Sequence, residues 1–150
     1  MSFQSLGLDA QLLRNVEAQG YALTTPIQKK AIPAILEGRD VVGLAQTGTG
    51  KTAAFVLPVL HRLISGPRRK LRTLIVGPTR ELAEQTKDVL LKLGAGTGLR
   101  HVTIYGGVGM QPQINGVRQG ADIAIACPGR LLDLLGRNKF TLDHVECLVL

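Results

Sequence analysis

A glycine-rich loop that carries a lysine is the segment best suited to chemistry. Between a short apolar run and a helical pattern, residues 45–52 read Ala-Gln-Thr-Gly-Thr-Gly-Lys-Thr. Gly48 and Gly50 allow tight turns that aim successive backbone N–H groups at one anion, at the start of the next helix. Lys51 would reach the phosphate oxygens and the Thr52 hydroxyl would bind magnesium. The loop predicts a nucleoside triphosphate site, and the alternative is a connection with a solvated lysine.

A second group of polar residues follows other apolar runs. Its members are Thr79, Arg80, Gly107, Gly129 and Arg130. Loops after strands lie at the carboxyl edge of an open α/β sheet, where ligands bind. A hydroxyl, backbone N–H groups and two guanidinium groups suit the phosphates of a nucleic-acid strand. The alternative is that the two arginines pair with carboxylates such as Glu81 or Asp133.

The elements that must position these residues alternate along the chain. Short apolar runs at 41–45, 73–76, 101–105, 123–126 and 147–150 predict strands, and helical patterns at 8–19, 52–64, 80–93, 111–119 and 131–135 predict helices. Another helix is predicted to begin at Thr25-Pro26 and to kink or end early at Pro33. Strands that alternate with helices predict an α/β fold, a parallel sheet with helices on both faces.

Composition limits the remaining possibilities. The 150 residues, 45% of them hydrophobic, fit one domain, with 18 Lys and Arg against 11 Asp and Glu for a net charge of +7. Two cysteines, Cys127 and Cys147, make neither a disulfide framework nor a metal site. With no signal-peptide pattern or membrane-length apolar run, we expect a soluble, cytoplasmic protein.

Two further sets of residues are assigned no chemical role. A basic loop carries Arg68, Arg69, Lys70 and Arg72, and solvation is favoured there over nucleic-acid binding. The histidines, His61, His101 and His144, have no partner at metal or catalytic-triad spacing.

Five motifs in one order resemble those of the DEAD-box ATP-dependent RNA helicases, and most of all the bacterial members. They are a Q motif at about 3–28, with Phe3 as its isolated aromatic and Gly20 to Gln28 as its body, the phosphate loop at 45–52, motif Ia at 78–85, the pair Gly106-Gly107 and motif Ib at 128–133. Ala45 matches that family's form of the phosphate loop. The resemblance implies the first RecA-like domain over 1–150, incomplete at its carboxyl end, in a P-loop NTPase fold.

For nucleotide, the resemblance implies ATP and Mg²⁺ as cofactors. The residues assigned to this site are Phe3, Tyr21, Gln28, Gln46, Thr47, Gly48, Thr49, Gly50, Lys51 and Thr52, the last also as metal ligand. The Gln28 amide both donates and accepts, so it can pair with the N6 and N7 edge of adenine but not with guanine. Phe3 and Tyr21 would pack about the adenine. Thr24 stands where the motif usually has proline, which alters the stiffness of that loop.

For RNA, the resemblance implies contacts to the sugar-phosphate backbone of a single strand without reading of sequence. The residues assigned to this site are Pro78, Thr79, Arg80, Gly106, Gly107, Pro128, Gly129 and Arg130. Cys127 stands where the family usually has threonine. Because a thiol is a weak donor, one side-chain bond to phosphate is expected to be missing there.

The resemblance also implies chemistry that 1–150 is not expected to perform alone. The family's Asp-Glu-Ala-Asp carboxylates, its Ser-Ala-Thr motif and its second RecA-like domain do not occur within 1–150. The parent protein is expected to be an RNA-stimulated ATPase that separates short duplexes, whereas 1–150 is expected to do neither. The alternative is a non-catalytic module that binds nucleotide or RNA. A kinase or GTP-binding protein is disfavoured by Gln28 and by motifs Ia and Ib.

The sheet order of the family carries one more expectation. The Ser-Ala-Thr strand would lie between the phosphate-loop strand and the run at 147–150, and without it both runs have unpaired backbone groups. We expect 1–150 either to rearrange its strands or to self-associate as a homodimer through the incomplete sheet. Tight ATP binding by 1–150 alone is not expected.

Overall fold

Four short parallel strands form the sheet of this computed structural model, which describes residues 1–150. They are β1 (Thr73–Val76), β2 (His101–Ile104), β3 (Ile123–Ala126) and β4 (Cys147–Val149), in the spatial order β2-β3-β1-β4. Thr73 of β1 pairs with Ile123 of β3 and with Cys147 of β4. The strand bounds predicted from apolar runs hold for these four to within one residue.

Six α-helices and one short 3-10 helix (Phe3–Leu6) accompany the sheet. They are α1 (Ala10–Ala18), α2 (Pro26–Leu36), α3 (Lys51–Ile64), α4 (Arg80–Leu93), α5 (Met110–Arg118) and α6 (Pro128–Gly136). The chain forms two units by contact, residues 1–65 with 89–98 and residues 66–88 with 99–150, so that α4 has residues in both. None of these helices combines the length and the apolar character that crossing a membrane requires.

The first unit is built on helices. α2 packs against α3, and fully buried side chains such as Leu12, Ile32, Leu57 and Leu60 fill this unit. Of the two outcomes predicted at Pro33, a kink or an early end, the early end is wrong, because α2 continues to Leu36 and the Glu37 N–H donates to the Pro33 carbonyl at 3.0 Å. The N–H that proline lacks would have donated to the Lys29 carbonyl, and Lys29 is an exposed residue.

The second unit contains the sheet. All four residues of β3 are buried, as expected for a parallel strand that is covered on both faces. Leu74, Val102, Ile104, Ile114 and Leu134 belong to one apolar cluster in this unit. α5 contacts β2, and this packing sets the position of the loop between them.

The predicted strand at 41–45 is not present. These residues have no regular secondary structure, and the side chains of Val42 and Leu44 are 92% and 91% exposed. An apolar run becomes a strand only where a neighbour takes up its N–H and C=O groups, and this segment has no sheet partner. The alternative expectation, a rearrangement that closes the sheet, is wrong as well, because β4 pairs with β1 alone.

Candidate nucleotide and RNA sites

The phosphate loop leads directly into α3 in the first unit. Gly48 and Gly50 have φ angles of +80° and +83°, in the left-handed region that favours glycine. Gly50 is the N-cap of α3 and offers no side chain to its first turn, so the orphan N–H groups of that turn remain available to a ligand. Lys51 is the first residue of α3, and its ammonium donates to the Ala45 carbonyl at 2.6 Å.

Gln28 connects the start of α2 to the phosphate loop. Its side chain accepts the Thr25 N–H at 3.0 Å and completes a capping box, while its Nε2 donates to the Gly50 carbonyl at 3.1 Å. The residue is only 4% exposed. A carboxamide has two N–H groups and two acceptor lone pairs, so each end of Gln28 retains one further hydrogen-bonding position.

Phe3 and Tyr21, the aromatics expected at the adenine face, lie against each other. Their ring centroids are 6.2 Å apart and their planes are tilted by 31°. Phe3 is buried, whereas Tyr21 is 38% exposed. Tyr21 is therefore the ring that is accessible to a ligand, and the buried Phe3 packs against it. Thr24, at the position where the motif usually has proline, bonds instead to the Met1 carbonyl through its hydroxyl at 2.9 Å.

The remaining loop residues are accessible. Gln46, Thr47 and Lys51 are exposed, and Thr52 is half-buried in the first turn of α3. The Thr49 hydroxyl donates to the Gln46 carbonyl at 2.6 Å, which closes the loop on itself. All ten residues assigned to nucleotide from the sequence thus fall in the first unit.

The residues assigned to RNA fall in the second unit, after the carboxyl ends of β1, β2 and β3. The Thr79 hydroxyl accepts the Leu82 N–H at 3.2 Å, which leaves its own proton to donate. The Arg80 guanidinium stacks on the Tyr105 ring, with its Cζ 4.8 Å from the centroid. A Cβ added at Gly107 would lie 3.6 Å from Arg80 Nη1, so the two-glycine segment runs beside this guanidinium.

The ion pair between Glu84 and Lys87 holds the Tyr105 ring against Arg80. The Tyr105 hydroxyl donates to Glu84, and Lys87 donates to the same carboxylate. The hydrogen bonds from Lys87 and then from Tyr105 lower the pKa of Glu84, and the bond to Glu84 raises the pKa of Lys87. Both groups are therefore charged at neutral pH, and the carboxylate acts only as an acceptor.

A buried glutamine links this arrangement to Arg130. Gln113 is 6% exposed, and its Nε2 donates to the Tyr105 carbonyl at 2.9 Å. Its Oε1 accepts from Arg130 Nη1 at 3.2 Å, and the same nitrogen donates to the Val108 carbonyl at 3.1 Å. Asp133 pairs with Arg137 at 2.7 Å rather than with Arg130, so the expected alternative of an ion pair is not formed.

Tyr105, Gln113 and Glu84 were not singled out in the sequence. Tyr105 is one of only five aromatic residues and directly precedes the two glycines, which was a usable signal. Gln113 gave no signal, because a glutamine inside a helical pattern is ordinarily a surface residue. Its role depends on the contact between α5 and β2.

Motif Ib begins α6. Pro128 occupies the first turn of this helix, where its missing N–H costs nothing, and Gly129 is exposed with open space around its Cα. Cys127 is the N-cap and makes no side-chain cap bond. Burial, with the nearby Glu81 carboxylate, raises the pKa of the Cys127 thiol, so it remains a neutral, weak donor.

Two of the three histidines have a defined environment within the fold. His61 Nδ1 accepts the Asp9 N–H at 3.0 Å. Burial lowers the pKa of His101, assisted by Lys87. No group of three or more His, Cys, Asp or Glu is placed to bind a metal, and neither cysteine forms a disulfide.

Comparison with known proteins agrees with this arrangement. Residues 25–150 match the family model described as DEAD/DEAH box helicase. The chain belongs to the DEAD/DEAH box helicase family. It is 44% identical over all 150 residues to the DEAD-box ATP-dependent RNA helicase CshA of Streptococcus pneumoniae, and 47% identical over 148 residues to the ATP-dependent RNA helicase dbp-10 of Neurospora crassa.

Solved structures of this family have the same fold. A DEAD box protein from the hyperthermophile Methanococcus jannaschii superposes with a TM-score of 0.92 over 99% of this chain, at 34% identity. A hypothetical ATP-dependent RNA helicase from Sulfolobus tokodaii gives 0.85 over 94% of it, at 35% identity. The predicted RecA-like α/β fold is thereby confirmed.

The chain covers only part of these relatives. It spans 28% of the Streptococcus protein, 16% of the Neurospora protein and 40% of each of the two solved chains.

Proposed function

We propose that this chain is the nucleotide- and RNA-binding region of an ATP-dependent RNA helicase. The observation that carries the proposal is the phosphate loop at the start of α3, tied through Gln28 to the Q motif, in a chain of the DEAD/DEAH box family. Its relatives in Streptococcus and Neurospora are named ATP-dependent RNA helicases. By analogy, the intact protein would use ATP to separate short RNA duplexes.

The loop suits the phosphates of ATP. Positive φ at Gly48 and Gly50 turns the backbone, and the uncapped first turn of α3 adds N–H groups and a helix dipole that favour negative charge. Lys51 would exchange its bond to the Ala45 carbonyl for one to phosphate oxygen. The Thr52 hydroxyl would hold Mg²⁺, which would supply positive charge to the phosphates when bound.

Selectivity for adenine would come from Gln28. Its remaining N–H and its remaining lone pair match the N6 and N7 edge of adenine. Its hydrogen bond to the Gly50 carbonyl joins the same side chain to the phosphate loop. The same side chain would thus recognise the base and position the phosphate loop. Tyr21 would cover one face of the base with its exposed ring.

RNA would bind at the carboxyl edge of the sheet through its backbone. Arg80 and Arg130 are held by a ring, a carbonyl and a buried amide rather than by carboxylates, so their charge remains available to phosphate. Thr79 and the exposed glycines of the two-glycine segment and motif Ib add short-range donors. None of these groups is specific for a base, so binding would be independent of sequence.

Residues 1–150 alone would also self-associate. β4 pairs with β1 on one side only, and the side chains of Leu148 and Leu150 are 57% and 91% exposed. An apolar strand at a sheet edge is a template for pairing with a second copy. Sedimentation of 1–150 at several concentrations should show a dimer that dissociates on dilution, and a monomer at all concentrations would contradict this.

The assignment of ATP is tested by nucleotide binding to the intact protein. The parent should bind ATP more tightly than GTP, and Gln28→Ala should remove a preference worth about 1–3 kcal/mol. Gln19→Ala, at an exposed glutamine after α1, is the matched control and should leave the preference unchanged. Equal affinities of the parent for ATP and GTP would contradict the assignment.

A further inference from the structure

The second unit has another charged surface, at the edge of the sheet opposite Arg80 and Arg130. We name it the amino-edge patch, and its members are Arg68, Arg69, Lys70, Arg100 and Arg118, all exposed. Arg68 to Lys70 precede β1, Arg100 precedes β2, and Arg118 ends the helix that leads into β3. Since these strands are parallel and adjacent, their amino ends lie side by side.

A buried carboxylate fixes two of the loops that carry the patch. Asp122 is 1% exposed, and its two oxygens accept the backbone N–H groups of Arg69 at 2.7 Å and of Arg100 at 2.9 Å. Both of these hydrogen bonds are to backbone N–H groups. The Asp122 carboxylate therefore holds the two loops together without using the guanidinium groups of Arg69 and Arg100. Its negative charge lies beneath the patch rather than on its surface.

The loops approach one another closely. Arg69 has a φ of +60°, which is uncommon for a residue with a side chain. Gly120 is buried, and a Cβ added there would lie 2.6 Å from the Arg69 Cβ. Arg100 Nη1 donates to the Gln119 carbonyl at 3.1 Å. These contacts build a fixed platform, whereas a connection that is merely solvated needs none of them.

The surface chemistry of the patch favours phosphate as its partner. Segments 66–72, 98–100 and 117–122 contain no carboxylate except the buried Asp122, and they expose no large hydrophobic residue. In the segment that precedes β4, Glu146 pairs with Arg72 at 2.8 Å and Asp143 is exposed. A protein interface ordinarily has an apolar or aromatic centre. A surface of guanidinium groups that lacks such a centre suits the phosphates of a nucleic acid better.

We propose that the amino-edge patch is a second RNA-binding surface, which contacts backbone phosphates of the same RNA beyond the part held at the carboxyl edge. The proposal takes RNA as the partner from the proposed function and adds a site that the family motifs do not include. A four-residue strand is about 13 Å long, so one phosphate cannot reach both edges. Only an RNA long enough to pass from one edge to the other uses the patch.

The test compares two RNA lengths on the intact protein. Unstructured fluorescent RNAs of about 6 and about 30 nucleotides are titrated by anisotropy at several salt concentrations. The patch variant is Arg68→Gln/Lys70→Gln/Arg118→Gln, which leaves the loop anchors at 69, 100 and 122 in place. The matched control, Lys29→Gln/Lys30→Gln/Lys92→Gln, removes the same charge from exposed positions of α2 and α4.

The patch variant should bind the long RNA about tenfold more weakly, with the slope of log K against log salt reduced by about 0.7 for each phosphate that the variant no longer neutralises. The short RNA should bind unchanged, and the control should bind less than about twofold more weakly at either length. Equal weakening in the patch variant and in the control would overturn the proposal. So would displacement of the long RNA by polyglutamate at equal charge, since that would assign the patch to an acidic protein.

A separate variant distinguishes the two sites. Arg130→Ala should weaken both RNAs, because both occupy the carboxyl edge. If Arg130→Ala changes neither affinity while the patch variant still weakens the long RNA, the carboxyl-edge assignment fails and the amino-edge patch stands. If Arg130→Ala weakens binding and the patch variant does not, the amino-edge patch proposal fails and the carboxyl-edge assignment stands.

Discussion

Single buried amides hold both sites together at the scale of residues. Gln28 joins Thr25 to Gly50 in the first unit, and Gln113 joins Tyr105 to Arg130 in the second. Removing the Gln113 amide would leave the buried Tyr105 carbonyl without this partner, at a cost of about 1–3 kcal/mol. Each glutamine positions a residue of a proposed binding site: Gln28 positions Gly50 and Gln113 positions Arg130.

Gly50→Ala tests the contact between Gln28 and the phosphate loop. The new methyl would lie 2.4 Å from Gln28 Nε2, so the amide must leave the Gly50 carbonyl. Gly38→Ala is the matched control, with a similar φ of +78° but open space around it. Both variants carry the strain of positive φ, about 1 kcal/mol or more. Only Gly50→Ala should also abolish ATP binding, measured by titration calorimetry on the intact protein, and equal affinities in the two variants would refute this contact.

Cys127→Thr tests the donor that is missing from motif Ib. A threonine hydroxyl beside Gly129 would add one bond to an RNA phosphate and tighten binding by about 0.5–1.5 kcal/mol. Cys127→Val has the same shape without the hydroxyl and should bind RNA no better than the parent. Anisotropy titration of a single-stranded RNA measures the difference. If the two variants bind alike, the position does not contact phosphate.

At the scale of elements, the packing of α5 on β2 determines where Gln113 lies. Gly116 faces Val102 across this contact, and a Cβ at Gly116 would lie 2.7 Å from Val102 Cγ2. The helix can approach the strand this closely only because residue 116 has no side chain. The loop 105–109 between these elements carries the two glycines, so its geometry depends on the same contact.

Gly116→Ala should therefore destabilise the fold by about 1–3 kcal/mol, as overpacking does. Gly136→Ala, also at a helical glycine but with nothing within 4 Å, should be neutral or stabilise by up to about 1 kcal/mol. The midpoint of urea unfolding measures both. In a Val102→Ala background the cost of Gly116→Ala should shrink, and a cost that stays constant would show that the strain lies elsewhere.

Sequence patterns predicted the elements well wherever local information determines them. The bounds of β1, β3 and α4 agree with the apolar and helical patterns, because the spacing of apolar residues within each segment indicates its secondary structure. The run at 41–45 carries the same pattern, yet it forms no strand because pairing depends on a neighbour. The roles of Gln113 and Asp122 could not be predicted for a related reason, since their partners lie 8 to 53 residues away along the chain.

At the scale of the whole molecule, nucleotide and RNA are assigned to different units of one chain. Every residue assigned to ATP belongs to 1–65, and every residue assigned to RNA belongs to 66–88 or 99–150. α4 begins in motif Ia and has its last residues in the other unit, so it is the helix shared by both. The net charge of +7 agrees with a partner that is itself a polyanion.

The most direct test is ATP hydrolysis by the intact protein with and without single-stranded RNA. Hydrolysis should rise when RNA is added and should fall by about 10²–10³-fold in Lys51→Ala, because the phosphates lose the Lys51 ammonium. Lys30→Ala, at an exposed lysine of α2, should hydrolyse ATP like the parent. Hydrolysis that ignores RNA, or that survives Lys51→Ala at the parent rate, would contradict the assignment of this chain to an ATP-dependent RNA helicase.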